Sequence, residues 1–136
     1  MSARRPALPS GMAPPALAEL ADGRTLALRP LAEKISDAHL ARHPEDVDRY
    51  GATLAHAWCT HDNQHLLAWA IGDVDLQEQL GWLARVLSAR GYPVSNLIDD
   101  VAIGANVVAE EVPTAAGRAV AGRMRTAARA LSAQTT

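Results

Sequence analysis

The chain has 136 residues and a mass of 14.4 kDa, enough for one compact domain and too short for two comfortable ones. A net charge of -2 and a pI near 6.2 argue against a protein that coats nucleic acid, and the single cysteine, Cys59, excludes an internal disulfide and any pointer to an oxidising compartment. No run of about 18 uninterrupted apolar residues occurs, and Pro6, Pro9, Pro14 and Pro15 break up any signal-peptide core behind Arg4 and Arg5, so a cytoplasmic protein without a membrane span is expected.

Hydrophobic residues make up 49% of the chain, but many are alanine, and with three Trp, two Tyr and no Phe the aromatic share is 4%. β-branched and aromatic residues are what strands prefer, so this composition predicts an all-α fold. Residues 1–14 are rich in Pro, Ser and Gly without periodicity and read as a flexible tail ahead of a single domain over 15–136. A short helix is expected from Ala16 to Ala21, ended by the Asp22-Gly23 turn signal. The next starts near Leu28, with Pro30 in its first turn and Leu31, Ile35 and Ala38 at helical spacing, and stops or kinks at His43 before Pro44.

Pro44 opens the following helix, where Glu45, Asp46 and Asp48 complement the dipole, and the pattern extends it to about Ile71 as one long helix. Its polar side carries Arg49, Thr53, His56, Thr60, Asn63 and Gln64. Asp75 and Glu78 resemble a capping box for a helix with a Leu76, Leu80, Leu83, Leu87 stripe, closed by Gly91 and Pro93. Ser95 or Asn96 can cap a helix whose Leu97, Val101, Gly104, Ala105 and Val108 face inward. Pro113 and Thr114 start the last one, with Val120, Met124, Ala127 and Leu131 on one side. That helix also holds Arg118, Arg123, Arg125 and Arg129 and no acid, which reads first as a solvated face balancing the acidic stretch from Asp99 to Glu111 and only second as a contact for nucleic acid.

The most informative stretch lies in the long helix. Gly51, Ala55, Trp58, Asp62, Leu66 and Trp69 share one stripe, with Cys59 and His65 on its flanks. A carboxylate in the middle of an apolar face demands a partner, since a buried charge is costly unless paired or hydrogen-bonded. His61 and His65, four apart, have the spacing with which two imidazoles grip a metal, and Asp62 or Cys59 are conceivable further ligands. A zinc site normally draws ligands from more than one element, so surface or hydrogen-bonded histidines are the favoured reading and no metal site is expected. Cys59 lacks a nucleophile elbow, a zincin helix or a phosphate-cradling loop, and no acid and base face each other from separate elements, so no enzymatic activity is expected.

The string Cys59-Thr60-His61-Asp62-Asn63-Gln64-His65-Leu66-Leu67-Ala68-Trp69, followed by Gly72-Asp73 and a helix ending Gly91-Tyr92-Pro93, resembles the phycobiliproteins of the globin superfamily. His43-Pro44-Glu45 and Arg49-Tyr50-Gly51 look still closer to the bacterial bilin biosynthesis-associated globins, and the resemblance covers about residues 28 to 111. It implies a globin-like bundle of about five to seven helices. It also implies a linear tetrapyrrole (bilin) as cofactor, with Cys59 as attachment point, Asp62 as acceptor for the pyrrole N–H groups, and Trp58, His65, Leu66 and Trp69 as pocket wall. His61 stands where the family has an arginine that meets a propionate. The Pro-rich tail replaces the assembly helices of phycobiliproteins, which points away from light harvesting and toward a sensory, carrier or regulatory role. Heme is the neighbouring alternative, but residues 74–90 hold no histidine, so its iron would need His65 or His61. The competing expectation is a ligand-free interaction or regulatory module, acting as a homodimer or on a protein partner through an exposed apolar helix face that includes Trp82.

Overall fold

Among the described residues, apolar side chains at helical spacing give six helices: α1 (Leu28–Arg42), α2 (Pro44–Tyr50), α3 (Ala52–Ile71), α4 (Leu76–Ala89), α5 (Val94–Glu111) and α6 (Ala115–Gln134). A two-stranded antiparallel hairpin, β1 (Leu17–Glu19) and β2 (Thr25–Ala27), precedes them. These elements come from a computed structural model that describes residues 13–134. The fold is all-α apart from that hairpin. No described helix is long and apolar enough to cross a membrane.

The N-terminal tail reading falls mostly on residues 1–12, outside the described residues. By residue 15 the chain is docked: the Pro15 carbonyl accepts from Gln64 Nε2 at 3.1 Å, and the Ala16 carbonyl accepts from the Leu28 N–H at 2.9 Å. The short helix expected from Ala16 to Ala21 is instead β1 and the start of the hairpin turn. A helix of that length nucleates poorly, whereas pairing Leu17 with Ala27 and Glu19 with Thr25 satisfies the backbone and lets Leu20 seal the core at 4% exposure.

The long helix expected from Pro44 to Ile71 is divided at Gly51, whose φ of 83° lies in the left-handed region that favours glycine. That joint turns α2 away from the axis of α3 and lays its Asp46 against α1. The capping expectations fare unevenly. Asp75 accepts from the Glu78 N–H at 3.2 Å and Thr114 Oγ1 from the Gly117 N–H at 3.1 Å, as their sequence positions suggest. Neither Ser95 nor Asn96 caps α5; Pro93 holds the N-cap position, and the Asn96 amide donates to Glu45 instead.

α5 packs most extensively on α6, and α1 lies across α3 and α5. The core is built from Leu28, Ile35, Leu66, Leu67, Leu80, Leu83, Val101, Val108 and Met124, all essentially removed from water. Each such side chain contributes roughly 1.5–3 kcal/mol by burial. Gly104 lies where α5 approaches α6 and α1: a Cβ there would stand 2.8 Å from Met124 Cε and 3.4 Å from Ile35 Cδ1, so a larger residue requires the end of the Met124 side chain to give way. Among the described residues the exposed large apolar side chains are Leu17 and Val74; Trp82 is half-buried, edge-on to Trp69 with centroids 6.4 Å apart. The four arginines of α6 are exposed, with Arg125 donating to Asn106 and Arg123 to the Gly72 carbonyl.

Candidate functional site

One layer of the bundle interior is polar. His39 on α1, Asp46 on α2, Thr60, Asn63 and Gln64 on α3, and Asn96 and Asp100 on α5 are all buried. The buried face of α3 is centred near Asn63, about 100° round the helix from the Asp62 stripe, one residue step. Thr60, Asn63 and Gln64, read from sequence as the solvent side, therefore point inward, and Asp62 and Trp58 fall at the edge of the buried face.

A cavity of about 80 Å³ opens at that edge. His39 and Leu40 of α1, Asp46 and Tyr50 of α2, Ala55, Trp58, Cys59 and Asp62 of α3, Leu87 and Arg90 at the end of α4, and Tyr92, Leu97 and Asp100 around the start of α5 line it. Of the seven residues singled out in sequence, the fold brings Trp58, Cys59 and Asp62 together here. His61, His65, Leu66 and Trp69 are not on this wall: Leu66 is in the core, His61 stacks edge-on with His65 at 4.8 Å, and His65 lies 6.0 Å from Trp69.

Inside the cavity the groups are closely linked. His39 Nε2 lies 3.3 Å from Asp46 Oδ2, which also accepts a 2.7 Å hydrogen bond from the Tyr92 hydroxyl. His39 Nδ1 faces Asp100 Oδ1 at 3.5 Å. The same Asp100 oxygen accepts from Asn63 Nδ2 at 3.1 Å and from the Cys59 thiol at 3.8 Å. Behind them Thr60 donates to Ser36, and Ser36 to the Ala32 carbonyl, so the hydroxyls of α3 and α1 satisfy one another. Asn63 Oδ1 and His39 Nδ1 have no partner in hydrogen-bond geometry among the described residues.

Three acids and a thiol around one imidazole make a cluster with too little positive charge. Burial pushes Asp62 up to about 7, helped by the Asp100 charge and opposed by Arg90. Asp62 is half-buried by surface area, but the surface it exposes is cavity wall, and its carboxylate is largely desolvated. Burial raises Asp100 against the pull of His39, Asn63 and Cys59, and burial together with Asp100 holds the Cys59 thiol well above its ordinary value. Burial pulls His39 down, but Asp46, Asp100 and Asp99 overcome it and leave the imidazole raised. For Asp46 burial is likewise outweighed, here by the hydrogen bonds from His39 and Tyr92, and its pKa is lowered. A thiol held in its protonated form beside carboxylates is a poor nucleophile.

His39, Asp46, Tyr92 and Asp100 were missed in sequence because each reads singly as a surface polar residue. A weak signal existed: His39 continues the Leu28, Ala32, Ile35 face of α1, and Asp100 falls between Leu97 and Gly104 on the inward face of α5. No family model, no curated protein and no solved structure matches the chain.

Proposed function

We propose that this protein is a non-enzymatic carrier, sensor or regulator that binds a linear tetrapyrrole in the cleft between α2, α3 and the α4–α5 turn. The observation that carries the reading is Asp62: a desolvated carboxyl group on the wall of a cavity flanked by Trp58, Tyr50 and Tyr92, to which the described residues form no hydrogen bond. An acceptor in that position suits a ligand whose ring nitrogens present two N–H donors side by side, and charge-assisted bonds of that type are about twice as strong as neutral ones. Arg90 on the same wall supplies the cation for a propionate, a role the family resemblance had assigned to the position of His61.

The elevated Cys59 pKa disfavours the thiolate needed for a thioether, so the pigment is held noncovalently in this reading. The cavity of about 80 Å³ is smaller than the roughly 300–1,000 Å³ of sites for drug-sized ligands. Binding therefore requires α2, with Tyr50, to swing outward about the Gly51 joint. Heme has less support: His39, the imidazole on the cavity wall, is 2% exposed, too deep for the iron at the centre of a macrocycle to reach, and His61 and His65 are not on that wall.

Co-expression with a heme oxygenase and a bilin reductase tests the reading. The expected product is a coloured protein that releases its pigment on denaturation, and an Asp62→Asn variant that is much paler at equal yield. Protein that stays colourless after loading with bilin, biliverdin and heme overturns it and leaves the ligand-free interaction module, whose homodimer or partner complex light scattering would detect and Trp82→Glu would weaken.

A further inference from the structure

The inner wall of the cavity has the makings of a site distinct from Asp62. Cys59 Sγ, His39 Nδ1 and Asp100 Oδ1 all lie within 4.8 Å of one another, with Sγ to Oδ1 at 3.8 Å and Nδ1 to Oδ1 at 3.5 Å. Bond lengths of about 2.0–2.3 Å around a tetrahedral zinc ion place neighbouring ligand atoms about 3.3–3.7 Å apart, so the two separations from Asp100 are already close to that range and closing on one ion requires the thiol and the imidazole to draw together. The three residues come from α1, α3 and α5, which supplies the spread over separate elements that the His61 and His65 pair on one helix lacks.

His39 gives independent support. Its side chain is 2% exposed, and Nδ1, the nitrogen aimed at Cys59 and Asp100, has no hydrogen-bond partner among the described residues. The other nitrogen, Nε2, faces the Asp46 carboxylate, which the Tyr92 hydroxyl holds in place. A carboxylate behind the far nitrogen of a ligating imidazole fixes the tautomer that presents the near lone pair to the metal. The burial of so much acidity in one layer fits the same account, because a divalent cation would neutralise it.

We propose that His39 Nδ1, Cys59 Sγ and Asp100 Oδ1 form a binding site for a single tetrahedral transition-metal ion of the zinc class, with its fourth position open to the cavity and Asp46 as a positioning residue behind His39. Mixed sulfur, nitrogen and oxygen donors with tetrahedral spacing favour zinc over magnesium or calcium, which take oxygen ligands alone. On binding, the ion displaces the thiol proton and any proton on Nδ1 to solvent, and no electrons change hands. The proposal does not depend on the pigment reading, which rests on Asp62.

Cobalt(II) titration of the pigment-free, reduced protein, carrying no added histidines, tests it. The expected result is one ion per chain, with thiolate-to-cobalt charge-transfer absorption and the intense visible bands of four-coordinate cobalt, all bleached by added zinc. Cys59→Ser should abolish the charge-transfer band. Asp46→Asn should keep the band but weaken binding roughly 10–100-fold. Replacing both His61 and His65 with alanine should change nothing. If Cys59→Ser fails to fold, zinc protection of the single thiol from maleimide in the wild type, reversed by a chelator, gives the answer. Absence of the charge-transfer band in the wild type, a band that survives in folded Cys59→Ser, or a thiol that zinc does not protect overturns the proposal.

Discussion

Two layers of the bundle are both buried at their centres and differ in chemistry. Between α4, α6 and the middle of α5 the interior is Leu80, Leu83, Val101, Val108, Met124 and Leu131, with no polar side chain to satisfy. Between α1, α2, the middle of α3 and the start of α5, burial is spent on His39, Asp46, Asn63 and Asp100, with Cys59 half-buried beside them. An apolar layer repays burial directly, whereas a buried acid cluster at best breaks even against hydrophobic residues of similar volume. The contrast therefore separates the part of the molecule that holds it folded from the part that the proposals above assign to ligands.

The contrast is broken most severely from the apolar side. Met124→Ala opens a void beside Gly104 and Ile35 and should lower stability by about 3 kcal/mol in urea melts, with pigment and cobalt binding unchanged in whatever fraction remains folded. On the polar side the sign reverses. Asp62→Asn removes a carboxylate that resists ionisation in the fold, and should raise stability at pH 8 by on the order of 2 kcal/mol while weakening pigment binding. A loss of stability in that variant would show that Asp62 is held by protein groups after all.

The same asymmetry should appear as a pH dependence of the wild type. The Asp62 pKa is raised from 3.8 to about 7, so between those values the folded state holds a proton that the unfolded chain has released. Stability then falls as pH rises from about 4 to about 7. Raised Asp100 acts in the same sense, and raised His39 adds a contribution that is present below its ordinary value of 6.5 and lost as pH climbs through its elevated pKa. Asp46, lowered from 3.8, works oppositely and removes stability only in stronger acid. Thermal melts from pH 4 to 8 should decline across that range in the wild type and less steeply in Asp62→Asn.

Smaller effects sharpen the boundary between the layers. Gly51→Ala meets no atom within 4 Å, so only its φ of 83° opposes the change, and a cost of about 1 kcal/mol with weaker pigment binding is expected from the stiffened α2 joint. Arg29→Ala breaks an exposed pair with Glu33 at 3.6 Å and should move stability by less than about 0.5 kcal/mol, with neither layer affected.

Sequence legibility follows the same division. Leucines and valines at spacings of three and four mark α4, α5 and α6 and their inward faces, since an apolar layer announces itself through periodicity. A polar layer does not. Thr60, Asn63 and Gln64 read as a solvent face and so rotated the apparent stripe of α3 onto Asp62 and Trp58, which in fact border the cavity. Cys59, Asp62 and Trp58 were legible as a group because they are neighbours on one helix, but their partners His39, Asp46, Tyr92 and Asp100 meet only through tertiary packing. The Gly51 break was hidden because single glycines are tolerated within helices, and only the left-handed φ reveals this one as a joint.

The most direct test is a biliverdin titration followed by visible absorption, run in parallel on the wild type and Asp62→Asn. A desolvated acceptor for the ring N–H groups predicts a sharpened, red-shifted band that saturates at one pigment per chain in the wild type, and binding weaker by roughly tenfold or more in the variant. Identical spectra and affinities for the two proteins, or no spectral change in either, would contradict it.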